Sequence, residues 1–457
     1  MMDLATAATA VHGRVDGANV RFARVTTDSR AVEPGDLFVA LAGERFDGHD
    51  FVAGAFGRGA AAAMVAEGRG AFPGPVVAVA DTLAALGSLA AGWRARFSVP
   101  LVVVVGSNGK TTVKEMTASI LRAAFGGEAT LATEGNLNNA IGLPLTLLRL
   151  RAGHRAAVVE LGMNHRGETR ALAAIARPTI VVVNNAQREH QEFMASVAEV
   201  AREHADAVAA LPPGGVAVLN ADDASCGVWR DAAARAGATV RAFGLRGPAD
   251  VTARATFDAE GTDLAIDSSA GATRVRLSVP GEPMARNALA AAAAALAAGA
   301  PLEAVARGLA AFRPVAGRLV AARAASGALV IDDSYNANPD SVRAAIDVLA
   351  RAPGQRRLAL GDMGEVGAEG PAFHREIGAY ARERGIDRLD ATGPLARQAV
   401  EAFGAGGRWH ADVDALAEAL APEAREGVTI LVKGSRFMRM ERVVATLTGD
   451  SPRTGAH

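Results

Sequence analysis

The seven residues Gly106-Ser107-Asn108-Gly109-Lys110-Thr111-Thr112 place two glycines, a lysine and two threonines directly after an apolar run, Leu101–Val105. Backbone N–H groups of such a loop, and of a helix that follows it, can cradle phosphates. The Lys110 ammonium would neutralise them and the Thr111 hydroxyl would ligate Mg²⁺. The common phosphate-loop pattern has a further glycine five residues before the Gly-Lys pair. Here that position is Val104, so only the shorter Gly-x-x-Gly-Lys-Thr form is present. A tight strand-to-helix turn explains the glycines but not the lysine. Lys and Arg together number 48, and only Lys110, Lys114 and Lys433 are lysines. In a chain that otherwise uses arginine, a retained lysine marks a place that needs a compact ammonium on a flexible stem. Nucleotide binding is the expected chemistry.

Ligands of open α/β sheets sit beyond the carboxyl ends of parallel strands. Glu160 closes the apolar run in Val158-Val159-Glu160-Leu161-Gly162, where a carboxylate is costly unless paired or bound to a metal. His190 lies beyond the next run, after Asn184 and Asn185. An arginine partner or a surface loop accounts for each alone. Thr111, Glu160 and His190 at successive strand ends favour a shared Mg-nucleotide site. The stretch Thr133-Glu134-Gly135-Asn136-Leu137-Asn138-Asn139 holds more amides than a turn needs, which suggests hydrogen bonding to a polar ligand. Further on, Asp332-Asp333-Ser334-Tyr335-Asn336-Ala337-Asn338-Pro339 follows another strand. Asn338 reads as a helix cap before Pro339, leaving the aspartates and Asn336 for ribose or substrate contacts.

These groups need a scaffold, and the length of 457 residues allows about three domains. Hydrophobic residues make up 50% and charged ones 21%, enough for a substantial core. A formal net charge of -1 argues against a nucleic-acid surface spread over the chain. The lone Cys226 excludes an intramolecular disulfide framework and a cysteine-rich zinc site. The longest apolar run, residues 289–300, is alanine-rich and too short to span a bilayer, and the first residues lack a signal-peptide pattern. A cytoplasmic protein without membrane insertion is expected. Residues at helical spacing (Val113, Met116, Thr117, Ile120, Leu121, Ala124) follow the glycine loop. Strands are expected at 101–105, 156–161, 180–183 and 216–219, alternating with helices, which gives a doubly wound sheet. Alternation between 251 and 279 suggests a small antiparallel insertion, then helices from about 285 and over 302–312. A second α/β texture begins near Arg318, with strands at 328–331, 357–360, 388–391 and 428–432. The fold class is α/β in three domains: residues 1–98, a central P-loop-type doubly wound sheet over 99–314, and a C-terminal Rossmann-like domain over 315–457.

Taken together, these stretches resemble the Mur ligase family. The resemblance runs through Thr27-Asp28-Ser29-Arg30 with Gly35-Asp36, the glycine loop, Gly135-Asn136-Leu137-Asn138-Asn139, Glu160-Leu161-Gly162-Met163-Asn164 and Arg318. It continues through Asp333 to Pro339, Leu360-Gly361-Asp362-Met363-Gly364-Glu365 and Val432-Lys433-Gly434-Ser435-Arg436. The resemblance implies an ATP-dependent, Mg²⁺-assisted ligation of D-alanyl-D-alanine to a UDP-N-acetylmuramoyl-tripeptide through an acyl phosphate. That is a step in peptidoglycan synthesis, and so in cell wall biogenesis, cell shape and cell division, by a monomer. It implies that Lys110, Glu160 and His190 are catalytic. Residues 106–112 with Asn287, Arg318 and Asn336 would contact ATP, and Thr111, Glu160 and His190 would hold metal. Asn138 and Asn139 would form the polar wall, and Ser29 and Arg30 would hold the UDP end. The rivals are another Mur-type amide ligase and a non-catalytic nucleotide-binding regulatory protein.

Two positions depart from the family pattern. Pro283-Met284 stands where the family usually has His-Asn before Asn287. Many members carry a carbamylated lysine fourteen residues after the histidine corresponding to His190, and this chain has His204 there. A neutral imidazole is a poor Mg²⁺ ligand. The expectation is that His190 holds a second metal mainly through water, or that His204 hydrogen-bonds substrate, with turnover indifferent to bicarbonate. A hinge at residues 314–317 would let the last domain close on ATP.

Overall fold

The computed structural model describes residues 1–44, 46–189 and 191–449, so Arg45, His190 and residues 450–457 lie outside the described residues. Three main sheets follow one another along the chain. The first has five strands, in the order Arg14–Asp16, Val76–Val79, Ala62–Ala66, Asp36–Val39 and Arg24–Thr26, all parallel except for the antiparallel first strand.

The central sheet has nine strands with Leu101–Val105 in its interior. All five of its residues are buried, so helices must cover both faces, as its unbroken apolar run implies. Ala156–Glu160 pairs parallel on one side and Ile180–Val183 on the other. The segment 251–279 does form antiparallel strands, at Val251–Phe257, Thr262–Ser268 and Gly271–Leu277. They extend the same sheet beyond Thr239–Gly244.

The alanine-rich helix Glu282–Ala297 is almost wholly buried and packs beside the glycine-loop helix Lys110–Phe125. Helix Leu302–Ala311 crosses the latter so closely that a Cβ on Gly308 would lie 2.4 Å from Ile120 Cα.

The last sheet orders its strands Val320–Arg323, Leu329–Asp333, Val428–Lys433, Gln355–Leu360, Arg388–Thr392 and Gly407–His410, with only the first antiparallel. Apolar packing is continuous between neighbours. One buried cluster joins Leu89 of the first unit to Leu143 and Leu172 of the central one. Another joins Leu289 to Val348 and Ile331 of the last. Among the described residues no helix is long and apolar enough to cross a membrane.

Candidate active site between the central and last units

Register sets Glu160 level with Val104, beside the strand that feeds the glycine loop. The loop emerges between two strand ends, where a phosphate site is expected. Gly109, at φ +83°, is the cap of helix Lys110–Phe125, and no side chain caps that helix. Its first-turn N–H groups therefore lack an intrahelical or capping partner, the arrangement that suits an anion. A Cβ on Gly109 would lie 2.5 Å from Asn287 Oδ1 and 2.7 Å from Asn184 Nδ2. Those two amides are hydrogen-bonded to each other at 2.9 Å, and Asn184 Nδ2 also donates to Asn108 O at 2.8 Å.

Glu160 is 3% exposed. Thr111 Oγ1 donates to its Oε2 at 2.9 Å and Asn138 Nδ2 donates to its Oε1 at 2.7 Å. A hydroxyl and a buried carboxylate in contact form a hard oxygen donor pair that fits Mg²⁺, which takes few protein ligands and completes its shell with water and phosphate oxygens. Among the described residues no group of three or more His, Cys, Asp and Glu is arranged to hold a metal. His190, assigned to a second metal by resemblance, lies outside the described residues.

Lys110 Nζ donates to Gly106 O at 2.6 Å and lies 3.4 Å from Glu189 Oε2. The other Glu189 oxygen lies 3.3 Å from His204 Nε2. His204 is 1% exposed on the inner face of helix Val197–Ala209, which Ser196 caps by accepting the Glu199 N–H. The histidine is turned toward Glu189 and does not line the cleft.

The last unit closes over the loop. Asn338 caps helix Pro339–Leu349 in a reciprocal box with Ser341, and its side-chain amide exchanges hydrogen bonds with Asn108 at 3.0 and 3.3 Å. Lys433 Nζ donates to Asp333 Oδ2 at 2.6 Å and to Asn336 O at 2.9 Å. Burial pushes the Asp333 carboxyl above its ordinary range, against the opposing pull of Lys433. The Arg318 guanidinium stacks on Tyr335, 4.3 Å from the ring centre. Asn336 Oδ1 accepts the Ala337 N–H. The cleft so enclosed has a volume of about 350 Å³.

Ser107 to Thr112, Asn138, Glu160, Asn287, Arg318 and Asn336 all line this cleft. Asn139 does not: its Oδ1 accepts the Ile141 and Gly142 N–H groups at a helix start. Ser29 and Arg30 stand on the first unit away from it, with Arg30 exposed and paired to Asp28 at 2.9 Å. Sequence reasoning did not single out Glu189. Its signal was a carboxylate beside His190, one short loop beyond a strand end. The pairing of Lys433 with Asp333 was also missed, although both positions lay in stretches already marked. Lys114, the third lysine, is fully buried and donates to Thr133 O at 2.8 Å. At the departure from His-Asn, Asn287 Nδ2 meets Met284 Sδ at 3.9 Å, and Pro283 and Met284 give the cleft an apolar wall.

Comparison with known proteins finds three family models matching in order along the chain. They are described as Mur ligase family, catalytic domain, over residues 21–94; Mur ligase middle domain, over 104–295; and Mur ligase, glutamate ligase domain, over 317–436. The UDP-N-acetylmuramoyl-tripeptide–D-alanyl-D-alanine ligase of Escherichia coli (strain K12) is 41% identical over 449 residues, covering 96% of each chain. Crystal structure I of MurF from Acinetobacter baumannii superposes with a TM-score of 0.89 at 33% identity, covering 98% of this chain and 99% of that one. The MurF ligase of Thermotoga maritima in complex with ADP gives 0.83 at 27% identity, covering 93% and 97%. With this sequence, fold and cleft, the chain belongs to the Mur ligase family.

Proposed function

We infer that this chain is the ATP-dependent ligase that joins D-alanyl-D-alanine to UDP-N-acetylmuramoyl-tripeptide, completing the pentapeptide precursor of peptidoglycan. The observation that carries the reading is one cleft in which the glycine loop and the buried Thr111–Glu160 pair face Arg318, Asn336 and Lys433 of the last unit. A carboxylate is a poor electrophile at neutral pH. ATP transfers its γ-phosphoryl group to the tripeptide's terminal carboxylate, leaving ADP; the dipeptide's free amine then attacks the acyl phosphate, losing a proton as the amide forms and phosphate leaves. Gathering phosphates and a carboxylate in one place needs cations and fixed donors, positioned before reaction.

Lys110 and the N–H groups of the loop and first helical turn hold the phosphates. Arg318 reaches them from the opposite wall, and Asn287 and Asn336 hold the nucleoside end. Asn138 orients Glu160 and lines the path of the incoming carboxylate. Thr111 and Glu160 would hold Mg²⁺, which when bound neutralises charge on the phosphate oxygens. His190 takes the catalytic role that the family resemblance gives it, and Ser29 and Arg30 steady the UDP end on the first unit. The functional divisions proposed with this reading fall at 98/99 and 314/315, so that the first unit holds the UDP end and the other two enclose the ATP. Work on a UDP-linked precursor with ATP suits a cytoplasmic enzyme.

A non-catalytic nucleotide-binding protein is disfavoured by the intact Thr111–Glu160–Asn138 contact set. The test is ADP release with UDP-N-acetylmuramoyl-tripeptide, with and without D-alanyl-D-alanine. Sustained release only when both are present is expected. Release independent of the dipeptide, or none at all, would overturn the assignment.

A further inference from the structure

After strand Ile180–Val183, three consecutive side chains leave the chain in three directions. Gln187 Oε1 accepts Asn108 Nδ2 at 2.6 Å, and the Gln187 N–H donates to Ser107 Oγ at 2.9 Å, so this residue holds the glycine loop. Glu189 reaches Lys110 and His204, as described. Arg188, between them, crosses to the last unit. Its backbone N–H donates to Asp340 Oδ2 at 2.8 Å and its Nη2 to Asp340 Oδ1 at 2.6 Å. Its Nη1 donates to Glu376 Oε2 at 2.7 Å, and the guanidinium lies 5.3 Å from the centre of the Phe373 ring.

The partners are well placed to transmit this contact. Asp340 is in the first turn of helix Pro339–Leu349, two residues past the Asn338 that touches Asn108. Glu376 sits on helix Gly370–Glu383 and is also held by Arg343 at 3.1 Å. Isolated surface ion pairs contribute little, but a forked guanidinium shared by two carboxylates and a ring is the strong form of the interaction. The half-buried setting screens it less than open solvent would.

We propose that Arg188 is a positioning residue that latches the last unit shut over the glycine loop, so that Arg318, Asn336 and Lys433 face Lys110 at reacting distance. Its catalytic consequence rests on the ligase reading. Its structural consequence, the closed arrangement itself, does not. Arg188 touches no reacting group; it acts through Asp340 and Glu376, while its neighbours on either side fix the loop and its lysine.

The experiment pairs small-angle scattering with steady-state kinetics on Arg188→Ala, Arg188→Lys and Glu376→Gln. Arg188→Ala should show a larger radius of gyration than the parent without added ligand. It should also show a kcat lowered about tenfold or more, because misplacement of about 1 Å is costly to catalysis. The KM for the UDP precursor, held by the first unit, should stay within about twofold of the parent value. Arg188→Lys keeps the charge without the fork and should fall between the two. Should Arg188→Ala fail to fold, Glu376→Gln keeps size and removes one arm of the latch, and must show the same expansion in smaller degree. Scattering from a folded Arg188→Ala, or from Glu376→Gln in its place, that matches the parent overturns the latch whatever the activity. A parent protein without ligase activity would refute the ligase reading and leave the scattering comparison standing.

Discussion

Adding one methyl group at Gly109 tests how tightly the phosphate loop is built. The residue has φ +83°, a region that costs a non-glycine residue about 1–2 kcal/mol. The new Cβ would sit 2.5 Å from Asn287 Oδ1 and 2.7 Å from Asn184 Nδ2, so the hydrogen bond between those amides must break or stretch. That adds about 1 kcal/mol. Together Gly109→Ala should destabilise the central unit by about 2–3 kcal/mol, a fall in melting temperature of roughly 4–12 °C for a unit of this size. The same displacement moves the first N–H groups of helix Lys110–Phe125, so affinity for an ATP analogue should drop about tenfold or more. Thermal melting and titration calorimetry read the two effects. Gly127→Ala is the control: a Cβ there meets nothing within 4 Å, and both readouts should stay near the parent. If Gly109→Ala melted and bound nucleotide like the control, the argument that amide contacts shape the loop would be wrong.

Three further outcomes are expected. Lys110→Ala should abolish ATP turnover while changing the melting temperature little, since the side chain packs on loop carbonyls rather than in the core; near-normal ligase rates would refute its assignment. Turnover should not respond to bicarbonate at constant pH and ionic strength, because His204 occupies the position where a lysine carbamate would form, and a clear rise would contradict this. Burial holds His374 below its ordinary 6.5, with Nε2 accepting the Met363 N–H at 3.0 Å and Nδ1 2.7 Å from Gly370 O. A lowered folded value means that its stabilisation is complete above pH 6.5 and is lost as pH falls through that lower value. Melting temperature should therefore decline on acidification more steeply in the parent than in His374→Gln, and equal slopes would count against the reasoning.

The glycine loop was legible because strand, turn, lysine and helix are encoded locally, within residues 101–125. Asn338 was legible for the same reason: a cap, a proline and the inward-facing Val342, Ile346 and Leu349 follow one another in sequence. Edge or half-exposed strands were not. Val320–Arg323 and Gly407–His410 bury little of their surface, so no apolar pattern announces them. Thr239–Gly244 likewise begins exposed and becomes buried only at its end. The antiparallel stretch was recognised by its alternation, but its joining to the central sheet depends on pairing with a strand that the pattern did not show. Glu189 illustrates the limit at the site. Its neighbours Lys110 and His204 lie 79 residues before it and 15 after it, and only folding makes them neighbours.

The scarcity of lysine has a practical chemical consequence. Side-chain exposure is 18% at Lys110 and 0% at Lys114. It is 3% at Lys433. Apart from the α-amino group, the only primary amine with appreciable access to solvent thus lies in the nucleotide cleft. An amine-acylating ester, ordinarily an indiscriminate surface reagent, is confined in this protein to the α-amino group and Lys110. The mass added at Lys110 then reports whether the cleft is filled, and bound nucleotide shields it.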